Sequence, residues 1–270
     1  MTYSEDHLSL AFGLAAFGFV FTFLSGIGGF LAPRGSMHLT WSPKPLFLAG
    51  LSIAFAVVYF GVSGGIAVIV AVIWHEWGHV IAYRVAGHED ARFRLIPLFG
   101  GVAISNNAPR DQLSNCYVTL MGPGFSISLV VALLLAAEWL AHEGSPLANE
   151  VYHAAVIAGA LNAFNMLPLW PLDGGRALRA ITITTVPGLA PLLTNAMSIV
   201  LIGIAALKQM WLLLLFALMG YSYARRAAKE DKGLEPMGGA EAFLASLAYL
   251  TILGAHALAG LPLFRRIIGI

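Results

Sequence analysis

Two histidines stand four residues apart in a predominantly apolar stretch of the sequence, and a glutamate directly follows the first: His75, Glu76 and His79. On a helix, positions i and i+4 lie one above the other on the same face, so both imidazoles can reach one metal ion. Glu76 then projects beside the metal, where its carboxylate can accept a proton from a water molecule. The spacing therefore predicts a zinc site with Glu76 as the general base.

The composition predicts that these residues belong to a protein embedded in lipid. Of the 270 residues, 59% are hydrophobic and only 11% are charged, whereas a soluble domain carries about 25% charged residues. The formal net charge of +1 gives no indication of a nucleic-acid partner. The single cysteine, Cys116, excludes an intramolecular disulfide and a cysteine-rich zinc site.

Long apolar runs predict helices that cross the membrane. Eight such spans are expected, at about 8–31, 46–62, 66–86, 115–141, 152–171, 192–207, 210–224 and 241–262. The two histidines fall in the third span. Ionisable side chains at that depth are costly without a partner, and a bound cation would provide one.

Lysine and arginine are divided unequally between the two sets of connections that alternate along these spans, with twelve on one side and three on the other. The positive-inside rule predicts that the richer side is cytoplasmic and that the N-terminus lies outside. His79 would then lie about 10 Å from the cytoplasmic end of its span. The richer side holds Arg34, Lys44, Arg84, Arg92, Arg94, Arg110, Arg176, Arg179, Arg225, Arg226, Lys229 and Lys232, and the other side holds Lys208, Arg265 and Arg266.

A zinc site of this kind needs a third protein ligand. Val85 stands where a metzincin would have its third histidine. Glu89 and Asp90 follow too closely in sequence to supply the usual distant carboxylate. The better candidate is Asp173, which follows two prolines and precedes a Gly-Gly pair at the end of the fifth span. These residues predict unwound backbone that lines a cavity, on the same side of the membrane as His79.

Together, the two motifs resemble the site-2 protease family of intramembrane metalloproteases. That family pairs H-E-x-x-H on one helix with N-x-x-P-x-x-P-L-D-G on another, and the chain carries His75–His79 and Asn165–Gly174 in the same order. The resemblance covers about residues 36–226 and extends to the Gly-Gly segment Phe99-Gly100-Gly101-Val102-Ala103.

The resemblance implies a specific set of site residues. One zinc ion per chain would be bound by His75, His79 and Asp173. Glu76 would be the general base, and Asn165 would hold the substrate or the developing oxyanion. The residues expected to bind the substrate are Gly100, Gly101, Val102 and Pro168.

The expected fold is an all-α polytopic membrane protein with about eight transmembrane helices around a six-helix catalytic core. The expected boundaries are an extra N-terminal helix within 1–35, the core in 36–226, a cytoplasmic linker in 227–240 and an extra C-terminal helix within 241–270. No PDZ or CBS module is expected. This compact form resembles the prokaryotic branch of the family, which implies the cytoplasmic membrane as its location.

One position departs from the family pattern. The family often shows G-P-x-x-N on the helix after the Gly-Gly segment, and here Gly122-Pro123-Gly124-Phe125-Ser126 has serine in place of the asparagine. A serine can still form hydrogen bonds. A role of that asparagine in placing the substrate is therefore not assigned to Ser126.

The segment from Arg92 to Ile104 begins with alternating polar and apolar residues and favours β-structure. Two interpretations stay open. The segment could offer a strand edge to an unwound substrate, or it could be a surface hairpin.

The predicted function is hydrolysis of peptide bonds within or near the transmembrane segments of membrane-protein substrates, as in regulated intramembrane proteolysis. A metal-site transporter is an alternative, although it would usually show an internal repeat, and none is visible. An inactive membrane scaffold is another, although it would be expected to have lost Glu76 or Asp173. The oligomeric state cannot be predicted from the sequence.

Overall fold

A computed structural model of the protein describes residues 43–96, 100–209 and 233–268, with five further positions between 211 and 218. The elements within these residues are α1 (Pro43–Val85), β1 (Arg92–Ile96), β2 (Gly100–Ile104), α2 (Gln112–His142), α3 (Ala148–Asn165), α4 (Asp173–Thr185), α5 (Ala190–Leu207) and α6 (Gly239–Ile268). The predicted span at 8–31 lies outside the described residues, and so does most of the span at 210–224.

Three of the described helices are long and apolar enough to cross a membrane: Gly50–Val85 in α1, Gln112–His142 in α2 and Gly239–Arg266 in α6. In α5, a shorter apolar helix runs over Asn195–Leu207. Together with the apolar composition, these helices confirm an integral membrane protein that is mostly helical. The count of eight spans stays a prediction.

Helix α1 folds back on itself at Gly61. This residue has φ 76° and ψ 175°, a conformation that glycine adopts readily and other residues rarely do. A Cβ on Gly65 would lie 2.7 Å from the Cα of Val57, although a straight helix would separate residues eight apart by about 12 Å. The segments 43–60 and 62–85 are therefore about 27 Å and 36 Å long and match two predicted spans. The spans predicted at about 46–62 and 66–86 imply a connection at 63–65, but those residues are helical and the chain turns at Gly61 instead.

The predicted β-segment forms a two-stranded antiparallel hairpin, β1 and β2. Arg92 pairs with Ile104 and Ile96 pairs with Gly100. Helix α1 contacts both strands. The β-structure expected between residues 92 and 104 is confirmed, and it lies beside the helix that carries the two histidines.

The chain divides into two compact units. The first unit contains the described residues up to Asn107, then Met121–Phe164 and the residues from Thr251 onward; the second contains Ala108–Leu120 and Asn165–Leu250. Helices α2 and α6 both begin in the second unit and end in the first. In the first unit, buried Ala71, Val130 and Ala158 form an apolar cluster that brings together α1, α2 and α3.

Small residues allow α3 and α6 to pack backbone against backbone in the first unit. A Cβ on Gly159 would lie 2.7 Å from the Cβ of Ala259, and one on Gly260 would lie 2.6 Å from the Cα of Ala160. Helices that pack in lipid often use small residues in this way, because dispersion contacts replace the hydrophobic effect as the driving force. The position of α6 beside α3 is therefore set by contacts that leave no room for a larger side chain.

Candidate metal centre

His75, Glu76 and His79 lie in the second segment of α1 and are all buried, with 4–6% of each residue exposed. The Nε2 atoms of the two histidines are 3.1 Å apart, and their rings are nearly perpendicular, at 81°. Two nitrogen ligands at 2.0–2.1 Å from one tetrahedral zinc ion would be separated by about 3.3 Å. The pair therefore has the spacing of two ligands to a single metal, as the i, i+4 pattern predicted.

Asn162 of α3 fixes the orientation of His75. The Nδ1–H of His75 donates to Asn162 Oδ1 at 2.8 Å, and Asn162 Nδ2 donates to the carbonyl of Ala158 at 2.9 Å. With Nδ1 carrying the hydrogen, the lone pair of Nε2 is available to a metal. Asn162 is not among the residues predicted from the sequence, where Asn165 stands in the motif instead. The available signal was a second asparagine, three residues before Asn165 in the same apolar span.

The variant Asn162→Leu is expected to weaken zinc binding by about 10–100-fold, the usual cost of losing the hydrogen-bond partner of a ligating histidine. Asn162→Asp keeps the acceptor for the Nδ1–H of His75 and should retain most of the affinity. Competition with a chromophoric chelator measures both variants. Equal affinity in the Leu variant and the wild type would show that this hydrogen bond does not orient His75.

His79 packs directly on the backbone of α2. A Cβ on Gly122 would overlap Nε2 of His79 and lie 2.5 Å from its Cε1. At the residue that directly precedes His79, a Cβ on Gly78 would overlap the carbonyl of Met121 and lie 2.7 Å from the Cβ of Phe125. Glycine is therefore required at both positions for steric reasons, since the imidazole of His79 occupies the space that a side chain on Gly122 would fill.

Ser126, which replaces the asparagine of the family pattern, is fully buried in α2. Its hydroxyl donates to the carbonyl of Gly122, one turn earlier in the same helix, at 3.0 Å. The side chain is thus bonded to its own helix, an arrangement common for serine in apolar helices. This hydrogen bond is sufficient to explain why the hydroxyl of Ser126 can be buried.

Asp173 lies in the second unit as the first residue of α4, with 8% of the residue exposed. A carboxylate in the first turn of a helix is favoured by the helix dipole. The guanidinium of Arg176, one turn later, lies 3.9 Å from Asp173 Oδ1. Asp173 thus places a buried carboxylate, one of the side-chain ligands that zinc accepts, at the start of a helix and beside a cation.

The backbone before Asp173 is unwound, as predicted, but the backbone after it is not. α3 ends at Asn165, an irregular segment covers 166–172, and α4 begins at Asp173. The expectation that Gly174-Gly175 would loosen the chain is wrong. A Cβ on Gly174 would overlap the carbonyl of Met166, and one on Gly175 would overlap the backbone of Leu169. The glycines are needed because the first turn of α4 packs directly on the irregular segment.

The remaining predicted site residues are divided between the two units. Asn165 is the last residue of α3, and Pro168 lies in the irregular segment; both belong to the second unit and are half-buried. Gly100, Gly101 and Val102 lie on β2, in the first unit with the histidines.

Asp90, one of the rejected metal ligands, has a different role. Its carboxylate accepts hydrogen bonds from Asn106 N at 2.6 Å, from Ser105 Oγ at 2.9 Å and from Asn107 Nδ2 at 3.3 Å. The backbone N–H of Asn106 is the main reason why the pKa of Asp90 is held below its usual value. Asp90 thus fastens the base of the hairpin, next to His88, whose Nδ1 also bonds to Ser105.

No protein-family model matches the chain. Its sequence is 30% identical over 147 residues to the zinc metalloprotease MJ0392 of Methanocaldococcus jannaschii, a match that covers 54% of this chain and 41% of that protein. It is 30% identical over 145 residues to Rip3 of Mycobacterium tuberculosis, provisionally named a zinc metalloprotease, covering 52% of this chain and 37% of Rip3. The chain thus matches about two fifths of the length of these relatives.

Two further proteins are similar to the chain. Cation/H(+) antiporter 20 of Arabidopsis thaliana is 26% identical over 163 residues, which is 56% of this chain and 19% of the antiporter. Among solved structures, the site-2 protease from Methanocaldococcus jannaschii matches 72% of this chain and 91% of its own, with a TM-score of 0.47 and 24% identity.

Proposed function

We propose that the chain, which is similar to proteins named zinc metalloproteases and whose motifs resemble those of the site-2 protease family, hydrolyses peptide bonds within or close to the transmembrane segments of other membrane proteins. The observation that carries this proposal is the pair of buried imidazoles whose Nε2 atoms converge to 3.1 Å, with a buried carboxylate on the adjacent residue. A metal held at that pair would lie beside Glu76 in an apolar helix.

The residues that would hold a zinc ion are His75 and His79, through Nε2, and Asp173, through its carboxylate. The donor set fits zinc, which binds two histidines and one carboxylate in many hydrolases and leaves one position open. When bound, the ion would supply a Lewis acid that polarises a carbonyl and makes water a nucleophile near neutral pH. The role of Asp173 rests on its place in the motif and on its buried carboxylate.

The protein's own groups would supply proton transfer and orientation. The carboxylate of Glu76 would accept a proton from the attacking water and pass it to the leaving nitrogen, as a general base and then a general acid. The side chain of Asn165 would hold the substrate or the developing oxyanion, since an amide N–H is a good donor to such a charge. Pro168, in the irregular segment, would line the path of the substrate.

A substrate helix must unwind before its peptide bonds can be attacked, because helical hydrogen bonds shield them. The hairpin offers a place for the unwound segment. Gly100, Gly101 and Val102 lie on β2, whose partner on one side is β1. An extended substrate could add to the hairpin through main-chain hydrogen bonds.

We further propose that the N-terminus is outside and the active site nearer the cytoplasmic face of a prokaryotic membrane. The unequal division of the basic residues supports this orientation. Such a site would suit regulated proteolysis of a membrane-tethered protein, with the released fragment entering the cytoplasm. The substrate itself would be another transmembrane protein in the same bilayer.

Transport is the second candidate, because one of the similar proteins is named a cation/H(+) antiporter. A transporter and a protease both place ionisable residues at membrane depth. They differ in what metal removal does. A protease cleaves peptide bonds with the ion bound and loses this activity when the ion is removed. An inactive scaffold shows no cleavage with or without the ion. A transporter moves ions across the membrane of a sealed vesicle.

The purified protein in detergent is expected to contain about one zinc ion per chain. In liposomes it should cleave a labelled transmembrane peptide, lose this activity after chelation and regain it when zinc is restored. Mass spectrometry of the products locates the cut, and metal analysis of the same samples gives the zinc content. Cleavage that survives complete removal of metal would contradict the proposed function.

A further inference from the structure

His256 is a buried polar residue of α6, a helix that lies outside the two motifs. Only 1% of the residue is exposed. Its Nε2 is 2.7 Å from the carbonyl oxygen of Pro123 in α2. Since a carbonyl only accepts hydrogen bonds, Nε2 must carry the hydrogen. Among the described residues, Nδ1 has no hydrogen-bond partner. Burying a histidine inside an apolar membrane helix costs free energy, which indicates that the residue has a function. The hydrogen bond to Pro123 is the contact through which it can act.

The carbonyl that His256 binds belongs to the residue next to Gly122. Gly122 in turn contacts the imidazole of His79 so closely that a Cβ would overlap its Nε2. Protein interiors are close-packed, so a shift of this backbone cannot occur without a shift of the ring. Pro123 lacks an N–H and interrupts the helical hydrogen bonding of α2. The segment is therefore a weak point of α2 at the place where its position matters most.

The position of His256 is itself fixed. His256 and Gly260 are four residues apart and lie on the same face of α6, and Gly260 packs against the backbone of Ala160 in α3. Helix α3 also carries Asn162, which orients His75. Helix α3 thus carries the partner of His75, and α6, which is packed against α3, carries His256, which bonds next to the backbone that contacts His79.

We propose that His256 is a positioning residue of the metal centre. Its Nε2–H holds the Gly122–Pro123 backbone against the imidazole of His79 and so sets the direction of the His79 Nε2 lone pair. This inference rests on the proposed function, because it takes His79 to be a metal ligand. It assigns a role in the centre to the C-terminal helix, to which neither sequence motif extends.

Three substitutions of His256 separate positioning from general packing. Gln places an amide N–H near the position of the histidine Nε2, Asn places it near Nδ1 and too far from Pro123, and Leu removes the donor. His256→Leu and His256→Asn should bind zinc about tenfold more weakly, the lower end of the range for losing a partner of a ligating histidine. His256→Gln should bind zinc like the wild type. Chelator competition gives the affinities, and the visible spectrum of cobalt-loaded protein reports the ligand geometry.

His153 provides the control. It is exposed on α3 and bonds to the carbonyl of Asn149 in its own helix at 2.7 Å, so His153→Leu should leave zinc affinity and the cobalt spectrum unchanged. Thermal unfolding of the metal-free variants reports loss of packing separately. Zinc affinity in His256→Leu within twofold of the wild type, or a Gln variant as weak as the Leu variant, would overturn the inference. If the affinities follow the expected order and the wild type cleaves no substrate, the inference stands and the proposed function fails.

Discussion

Glu76→Gln is expected to abolish detectable cleavage while the protein folds, keeps its zinc and still captures uncut substrate. Gln has nearly the same size and can form hydrogen bonds, but it cannot accept a proton at neutral pH. Loss of a general base removes about 10² to 10⁴ in rate. The upper end is expected here, because the same carboxylate would also donate the proton to the leaving nitrogen. Glu76 is buried beside the His75–His79 pair, so no bulk water can replace it easily.

The measurement compares rates on a transmembrane peptide in liposomes, with zinc determined in the same samples. Glu138→Gln is the matched control, since Glu138 is an exposed glutamate in the transmembrane helix α2. Its rate should equal that of the wild type. Cleavage by Glu76→Gln within tenfold of the wild type would mean that another group is the base, and the mechanism proposed for Glu76 would be wrong.

Asp173→Ala is expected to lose most of the bound zinc and, with it, all cleavage. Removing one of three protein ligands should cost more affinity than the roughly 10–100-fold lost with an outer hydrogen-bond partner. The Gly-Gly pair that follows would still let α4 pack on the irregular segment, so the variant should fold. Metal analysis after dialysis against a weak chelator measures the loss, and His75→Ala should show a similar one.

Asp90→Ala provides the contrast, because Asp90, like Glu89, is an acidic residue that follows the two histidines closely in the sequence. Its carboxylate is engaged by Asn106, Ser105 and Asn107 at the base of the hairpin. The variant should keep its zinc, although substrate binding to the hairpin can weaken. Full zinc occupancy in Asp173→Ala, or loss of zinc in Asp90→Ala, would contradict the assignment of Asp173 as the third ligand.

Local patterns in the sequence were sufficient for several features. The i, i+4 spacing predicted that His75 and His79 share a face, because helix periodicity fixes which side chains are neighbours. Apolar composition predicted a membrane protein, and alternation in residues 92–104 predicted β-structure. Each of these predictions depends on the local geometry of a helix or strand or on the overall apolar composition. Both properties are evident from the sequence without knowledge of how the helices pack.

Glycine showed the limit of such patterns. Gly61 and the Gly174-Gly175 pair are the same residue type, but the first turns the chain and the pair begins a regular helix. The difference comes from neighbours. Gly61 has the positive φ that other residues avoid, whereas Gly174 and Gly175 are required because backbone from residues 166–170 lies where their side chains would be. The sequence alone is compatible with both roles of glycine and does not distinguish them.

The sequence by itself determined which residue types could bind a metal and move a proton. Only the tertiary structure decided what holds them in place. Asn162 orients His75, Gly122 receives the ring of His79, and His256 bonds beside Gly122. These contacts join helices far apart along the chain, and in an apolar protein any of several buried polar residues could have made them. The choice was fixed by close packing at small residues, where a displacement of less than a side chain's width would separate the partners.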